Sequence, residues 1–219
     1  MQLPPQRLLL LLALSIFLVV FIQLNILTIA FDKLGLSADS ASLLLVVTLI
    51  GSMVNVPLFS MKVDNPSPGP VPLLWKLFKL PPPAFTGKTI IAVNVGGCVI
   101  PVAFSGFLLV NHTIGLQQVI IAVGVVTLIS YVLSRPMAGI GIAMPMFVAP
   151  ITAALIAVIL NPGQSAPLAY ISGTLGVLIG ADVLHLKDIG KMGPPFASIG
   201  GAGTFDGIFM TGIVAVLLA

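Results

Sequence analysis

Charged residues are scarce in this chain: only 7% of its 219 residues are Asp, Glu, Lys or Arg, and Glu is absent altogether. Such a low charge content, beside 58% hydrophobic residues, excludes an ordinary soluble domain and is typical of a multi-pass membrane protein. The single cysteine, Cys98, excludes a disulfide within the chain and any site with several cysteine ligands. The nine Lys and Arg residues do not cluster with aromatic residues, so we expect no nucleic-acid partner.

Long apolar runs are what the sequence does contain. A helix needs about 20 apolar residues to cross the hydrocarbon core of a bilayer, and this length divides the chain into about seven transmembrane helices. Their approximate ranges are 8 to 30, 41 to 60, 89 to 110, 117 to 134, 139 to 160, 166 to 186 and 202 to 219. We therefore predict an all-α integral membrane protein, with residues 1–219 forming one polytopic domain in contact with membrane lipids. The first run is longer than the apolar part of a signal peptide, so we expect it to be retained as a helix.

The placement of the cations predicts the topology. Every Lys and Arg except Lys33 lies at the N-terminus or in a connection after the second, fourth or sixth predicted helix. The positive-inside rule then places the N-terminus in the cytoplasm and the C-terminus outside, in the cell inner (plasma) membrane. The long connection at 62–88 contains Trp75 beside Lys76 and Lys79, which favours a helix lying in the cytoplasmic membrane interface. Its many prolines leave a flexible loop as the alternative.

Three predicted helices are interrupted by Gly and Pro. The interruptions are Gly51–Phe59, Asn94–Pro101 and Gly141–Pro150. Gly and Pro free backbone groups that lipid cannot satisfy, so these positions face either neighbouring helices or a wet cavity. Asn55 and Asn94, within two of the interruptions, favour a polar cavity, with ordinary kinks as the alternative.

Two of the six aspartates lie inside predicted helices. Asp182 and Asp206 are each about one turn from the cytoplasmic end of their helix, roughly 6 Å below the same membrane face at 1.5 Å per residue. A carboxylate in the hydrocarbon region costs at least about 2.5 kcal/mol, so each requires a partner or a function. The remaining aspartates lie in connections, where surface roles suffice: Asp32, Asp39, Asp64 and Asp188.

Both of these helices carry a frame of small residues: Gly176 and Gly180 on helix six, and Gly203 and Gly207 around Asp206 on helix seven. Gly-x-x-x-Gly spacing allows helix backbones to approach closely, so adjacent antiparallel helices six and seven would hold the two carboxylates face to face. Two carboxylates that share a site keep one proton between them, which is how an aspartic protease activates water. A neutral Asp bonded to a kinked backbone is the structural alternative. The candidate catalytic residues are Asp182 and Asp206, and the candidate substrate-binding or helix-packing residues are Gly176, Gly180, Gly203, Phe205, Gly207, Asn55 and Asn94.

The segments that carry these acids resemble a known family. The stretches "SGTLGVLIGADVLHL" and "PPFASIGGAGTFDGIFMTGIVAVLLA", with "IGSMVNVPL" and "GIGIAMPMFVAP", are similar to a prokaryotic membrane-protein family catalogued as domain of unknown function sixteen-fourteen. That resemblance implies a multi-pass membrane protein and supplies no activity.

A more distant resemblance is to the intramembrane aspartyl proteases of the presenilin and signal-peptide-peptidase group. In that group one Asp follows Tyr on a helix, and the other ends a Gly-x-Gly-Asp motif on the next helix. Here Asp182 follows Ala181, and two extra residues separate Gly-x-Gly from Asp206. The group's Pro-Ala-Leu motif is also missing. The resemblance implies an aspartic endopeptidase whose substrates are single-span membrane proteins or peptides, with Asp182 and Asp206 as its dyad and no cofactor.

Two other interpretations of the polar residues remain. A secondary transporter would use the broken helices to line a site in the membrane, with Asp182 or Asp206 as a proton relay. His185, one turn after Asp182, would be needed for a divalent cation site, but a histidine beside Lys187 at a helix end is more often interfacial. We therefore expect no metal.

Overall fold

A computed structural model describes residues 27–63, 87–137, 141–192, 196–201 and 207–219. The described part of the chain is mostly helical. Its α-helices are α1 (Leu27–Lys33), α2 (Ala38–Ser52), α3 (Ile100–Asn111), α4 (Leu116–Leu133), α5 (Val148–Leu160), α6 (Ser165–Val177), α7 (Leu186–Met192) and α8 (Gly207–Leu218). Its strands are β1 (Asn55–Lys62), β2 (Lys88–Asn94), β3 (Arg135–Met137), β4 (Gly141–Ala143) and β5 (Phe196–Ile199).

Helix α6 lies at the centre of the bundle. Together with the 3-10 turn before it and a π-helical segment after it, Leu178–Val183, it forms a continuous apolar helix over Pro162–Val183. Within an 18-residue apolar window of this helix 78% of the residues are buried, against 22% in α4, so α6 is interior and α4 is peripheral. Helix α6 packs against α3, α4, α5 and α8. The core of the fold therefore surrounds the helix that carries Asp182.

The predicted second helix ends early. Helix α2 begins after Ser37, whose side chain accepts the N–H of Ser40, and it ends at Ser52. The chain then forms β1, so the expectation of helix to residue 60 is wrong. Pro57 has no N–H to donate within a helix, and a bulge between Pro57 and Phe59 accommodates it in the strand.

The predicted third helix also begins as a strand. Residues Lys88–Asn94 form β2, and a π-helical turn, Val95–Val99, leads into α3. The sequence of β2 is rich in β-branched residues, which favour a pleated strand. Asn94 begins the helical part, because its side-chain Oδ1 accepts the N–H of Gly97 at 2.7 Å.

Three strands form a mixed sheet in the order β1-β2-β5. Strand β1 is antiparallel to β2, with Asn55 opposite Asn94 at one end and Lys62 opposite Lys88 at the other. Strand β5 is parallel to β2. Strands β3 and β4 pair separately, so part of the fifth predicted helix is also a strand, and α5 begins only at Val148.

Only two helices are long and apolar enough to cross a membrane in the part of the chain that the structure describes. They are α4 and the continuous helix Pro162–Val183, and a third candidate arises if α1 and α2, which are bent by 115°, count as one. Helices α3 and α5 are apolar but shorter, and α8 occupies most of the seventh predicted range. The first predicted helix and the predicted interfacial segment lie almost wholly outside the described residues. The count of about seven stays a prediction.

Candidate functional site

Asp182 lies in the π-helical segment that extends α6. Its Oδ2 accepts a hydrogen bond of 2.8 Å from the backbone N–H of Gly200, just after β5, and its side chain is partly buried. A π-helical segment widens one turn of a helix and is frequent at functional sites. The carboxylate therefore joins the central helix to the end of a strand.

The turn after β5 requires glycine. Gly200 and Gly201 have φ angles of 82° and 92°, in the left-handed region that residues with a Cβ rarely adopt. The carbonyl oxygen of Gly200 also lies where a side chain on Gly97 would begin, so the two backbones are in direct contact. The end of β5 is thus held between Asp182 and the π-helical turn before α3.

A buried polar cluster lies at the same end of the sheet. Asn94 is 1% exposed and donates through Nδ2 to the carbonyl of Ser52 at 2.7 Å and to Oδ1 of Asn55 at 3.1 Å. Ser198 on β5 donates to the same Oδ1 at 2.6 Å. Because Oδ1 accepts both bonds, the orientation of the Asn55 amide is fixed. We refer to Asn55, Asn94 and Ser198 as the amide cluster.

The amide cluster and Asp182 both involve β5 and the turn that follows it. Ser198 and Gly200 are two residues apart along β5 and its turn, which is about 7 Å of extended chain. Asn55 is therefore hydrogen-bonded to this segment at Ser198, and Asp182 is hydrogen-bonded to it at Gly200. The sequence analysis associated Asn55 and Asn94 with a polar cavity; the structure shows both amides hydrogen-bonded within the protein, and their role in a cavity stays a prediction.

Three candidate residues of the sequence analysis lie outside the described residues: Gly203, Phe205 and Asp206. Gly207 is the first residue of α8. Helix α8 packs antiparallel to α6, since Ser165 donates to the carbonyl of Ala219 and Gly212 lies against Tyr170 and Thr174. The predicted adjacency of helices six and seven is present, while the pairing of Asp182 with Asp206 stays a prediction.

The glycine frame on α6 packs against a different helix from the one expected. A Cβ on Gly176 would lie 2.6 Å from the Val126 side chain, and one on Gly180 would meet the carbonyl of Thr127, both on α4. The interpretation that this frame seats helix seven is therefore wrong. Gly-x-x-x-Gly spacing indicates a close approach but does not name the partner. Gly173 and Gly212 serve the contact with α8 instead.

His185 is buried rather than interfacial. It is 6% exposed, its Nδ1 lies 3.1 Å from the carbonyl oxygen of Gly180, and its ring lies 4.8 Å from that of Tyr131. It thus fills space between α4 and the end of α6. Within the described ranges, no three His, Cys, Asp or Glu side chains lie close enough together to hold a metal ion.

Sequence reasoning missed several participants. Gly97, Ser198 and Gly200 shape the site, and only the paired glycines at 96–97 and 200–201 signalled close backbone contact. Reasoning from the sequence also missed Ser130 on α4 and Ser134 just after it, whose buried hydroxyls have no hydrogen-bond partner among the described residues. Buried hydroxyls without partners are unusual in proteins.

Comparison with known proteins assigns a family. Residues 49–218 match the sequence model of a family described as "Protein of unknown function (DUF1614)", which covers more than half of the chain. The chain therefore belongs to this family, as its sequence motifs predicted. Comparisons with curated proteins and with solved structures found no match.

Proposed function

We propose that this DUF1614 family member is an intramembrane aspartyl protease that hydrolyses peptide bonds near the cytoplasmic membrane face. Asp182 and Asp206 form its catalytic pair. The observation that carries the proposal is the hydrogen bond from Gly200 to Asp182, because Gly200 begins the segment that leads to Asp206. At its other end that segment joins α8, which packs antiparallel to α6.

The proposed topology has about seven transmembrane helices in the plasma membrane, with the N-terminus in the cytoplasm. The two ends of the bundle differ in charge, which supports this orientation. Arg135 and Lys187 lie at the end with Asp182, whereas Lys33 lies at the opposite end and donates to the carbonyls of Val216 and Leu217. An excess of cations on the Asp182 side is what the positive-inside rule requires of a cytoplasmic side.

The chemistry follows from two carboxyl groups that share one proton. The ionised group removes a proton from a bound water, and the resulting hydroxide attacks the carbonyl carbon of the scissile bond. The protonated group donates its proton to the carbonyl oxygen, which gives a neutral tetrahedral diol. The newly protonated group then donates its proton to the leaving nitrogen, while the other carboxylate takes a proton from one hydroxyl of the diol. The C–N bond therefore breaks, a carboxylic acid and an amine are released, and the pair again holds one proton. No metal or cofactor takes part in this scheme.

Single-span membrane proteins or peptides are the proposed substrates. Asp182 lies close to the end of the bundle that we place at the cytoplasm, so a bond cleaved there would lie near the end of a substrate helix. The strand β5 beside Asp182 is at the edge of the sheet in the described part of the chain. An edge strand offers unpaired backbone groups that an extended peptide can bond.

The direct test is cleavage by the purified full chain in liposomes. Single-span peptides are incubated with the wild type and with the Asp182→Asn and Asp206→Asn variants, and products are identified by mass spectrometry. We expect both variants to lose at least about a thousandfold in rate, because a dyad acts as a unit. Asp32→Asn, at the opposite end of the bundle, is the matched control and should retain full activity. Equal cleavage by wild type and either dyad variant would contradict the assignment.

A secondary transporter is the second candidate. The specific observation in its favour is that α2, α3 and α5 are flanked by strands rather than continued as helices. The buried Asn94 also supplies a polar group between the end of α2 and the turn before α3. Non-helical backbone at membrane depth is tolerated where it is covered by protein or lines a wet cavity.

Proton flux separates the two candidates. A transporter with Asp182 as its relay would acidify liposomes in a solute-dependent way without releasing peptide products. Under the protease proposal, peptide products appear, and a pH-sensitive dye inside the liposomes records no flux that depends on Asp182.

A further inference from the structure

Two lysines face each other at one end of the β1-β2 hairpin. Lys62 and Lys88 are direct cross-strand partners in the antiparallel register, and both side chains are exposed. Residues directly opposite in such a pair carry their Cβ atoms on the same face, about 4.5 to 5.5 Å apart. Like charges in this arrangement repel and destabilise the pair. An anion bound between the two ammonium groups would remove that repulsion.

The same face continues with a hydroxyl and two exposed apolar side chains. Ser60 is opposite Ile90, the residue two positions from Lys88, and Phe196 is the partner of Ile90 on the other side. Ile90 is 44% exposed and Phe196 is 42% exposed. Alternate residues of a strand lie on one face, so Lys88 and Ile90 belong to one continuous surface. We call Lys62, Lys88, Ser60, Ile90 and Phe196 the hairpin face.

The hairpin face changes from charged to apolar over a few residues. The strands lie about 4.8 Å apart and rise about 3.4 Å per residue, so the lysines and the apolar pair are about 7 Å apart. A phospholipid has the same arrangement, with an anionic phosphate followed by an apolar chain. A soluble anion would satisfy the lysines but would leave Ile90 and Phe196 without an apolar partner.

We propose that the hairpin face binds an anionic phospholipid of the cytoplasmic leaflet. The phosphate lies between Lys62 and Lys88 within reach of the Ser60 hydroxyl, and an acyl chain covers Ile90 and Phe196. The proposal rests on the membrane orientation given above, but it is independent of proteolysis. The lipid fixes the hairpin whose other end carries Asn55 and Asn94, so it stabilises the amide cluster.

The test measures lipid binding by the full chain. Purified protein in a neutral detergent is titrated with a short-chain phosphatidylglycerol at low ionic strength, and the thermal unfolding midpoint is followed. A second titration uses the matching phosphatidylcholine, and a third uses inorganic phosphate. We expect phosphatidylglycerol to raise the midpoint clearly more than either alternative. An equal response to phosphatidylcholine, or a full response to inorganic phosphate, would overturn the proposal.

Charge variants locate the site. The Lys62→Gln/Lys88→Gln double variant should bind phosphatidylglycerol about thirtyfold more weakly, which is about 2 kcal/mol at 1.4 kcal/mol per factor of ten. The Lys62→Arg/Lys88→Arg variant keeps both charges and should bind like the wild type. Lys187→Gln removes an exposed lysine elsewhere on the same side and should also leave binding unchanged.

Asp64 supplies a further control because it is an acid two residues from Lys62 along the chain. The Asp64→Asn variant should bind phosphatidylglycerol at least as tightly as the wild type. Unchanged binding in the double Gln variant, or an equal loss in Lys187→Gln, would show that general charge and not the hairpin face attracts the lipid.

Discussion

The two ends of α6 are held in different ways. At the Asp182 end the helix widens into a π-helical segment, the Asp182 carboxylate accepts the backbone N–H of Gly200, and the backbones of Gly200 and Gly97 are in direct contact. At the opposite end side chains make the connections: Ser165 bonds to Ala219, His112 to Gln164, and Lys33 to two carbonyls of α8. Two backbones in contact cannot move apart locally to admit a new side chain. A hydrogen bond lost by a surface side chain, in contrast, can be replaced by one to water. Substitutions at the Asp182 end should therefore have much the larger effects.

The largest effect is expected at Gly97. A methyl group there would meet the carbonyl of Gly200 and push the β5 turn away from Asp182. Because backbone cannot rotate aside as a side chain can, we expect Gly97→Ala to destabilise the fold by about 3 kcal/mol and to reduce activity. Thermal unfolding in detergent measures the change.

The matched control for this substitution is Gly106→Ala on α3, where a Cβ would meet nothing within 4 Å. It should be neutral or stabilise by up to about 1 kcal/mol, since Ala is the better helix former. Similar midpoints for the two variants would contradict the close contact.

The next largest effect is expected at Asn94. Asn94→Ala removes the acceptor of the Gly97 N–H and the donor to Ser52 and Asn55, all in a buried position. Unsatisfied buried groups cost about 1 to 3 kcal/mol each, so we expect a loss of about 2 to 3 kcal/mol in the free energy of unfolding. Ser198→Ala, which removes only one bond to Asn55, should cost about 1 kcal/mol. An Asn94→Ala loss no greater than that of Ser198→Ala would argue against the amide cluster.

A smaller structural effect is expected at Asp182. Asp182→Asn retains an oxygen that can accept the Gly200 N–H, so we expect a change in stability below about 1 kcal/mol while proteolysis is lost. Asp182→Ala removes the acceptor and should cost about 1 to 3 kcal/mol. Unfolding midpoints compared with cleavage rates separate the two roles. If Asp182→Asn unfolds as readily as Asp182→Ala, the carboxylate is structural.

The smallest effect is expected at the opposite end of α6. Ser165→Ala removes one partly exposed hydrogen bond to Ala219 and should change the free energy of unfolding by no more than about 1 kcal/mol. Activity should be unchanged. Thermal unfolding and cleavage assays of this variant set the baseline for the comparison, and a loss as large as that of Gly97→Ala would remove the distinction between the two ends.

Much of the helical fold was readable from the sequence, and the strands were not. Helices α4 and α6 are long apolar runs, and their existence follows from length alone. Strands β1 and β2 are apolar too, and hydropathy does not distinguish a short apolar strand from part of a buried helix. Pro57 and the β-branched residues of β2 were the available signals. The parallel pairing of β5 with β2 joins residues about a hundred positions apart, which no local pattern reveals.

The site was predicted in part for a similar reason. Asp182 was identifiable because burying an acid in a membrane-spanning helix costs free energy. Asn55 and Asn94 were identifiable because they are polar residues within runs that were predicted to be apolar helices. The partners of Asp182 and most partners of Asn94 are backbone groups, which carry no signature in the sequence, and the Ser198 hydroxyl that bonds Asn55 is distant along the chain. The Gly176 and Gly180 frame illustrates the limit: the spacing predicted a close approach correctly, but the neighbour is α4.

The central claim is that the side chains of Asp182 and Asp206 meet, and disulfide trapping tests it most directly. Asp182→Cys and Asp206→Cys are combined in a Cys98→Ala background, and the protein is oxidised in membranes. Carboxyl groups that share a proton lie within hydrogen-bond distance of each other, so the account predicts that the two cysteines are cross-linked by oxidation or by a reagent about 10 Å long. The control pair, Asp32→Cys with Asp206→Cys, should not cross-link. Failure of the 182–206 pair to form a disulfide, or to be bridged by a reagent about 10 Å long, would contradict the shared-proton dyad and favour the transporter.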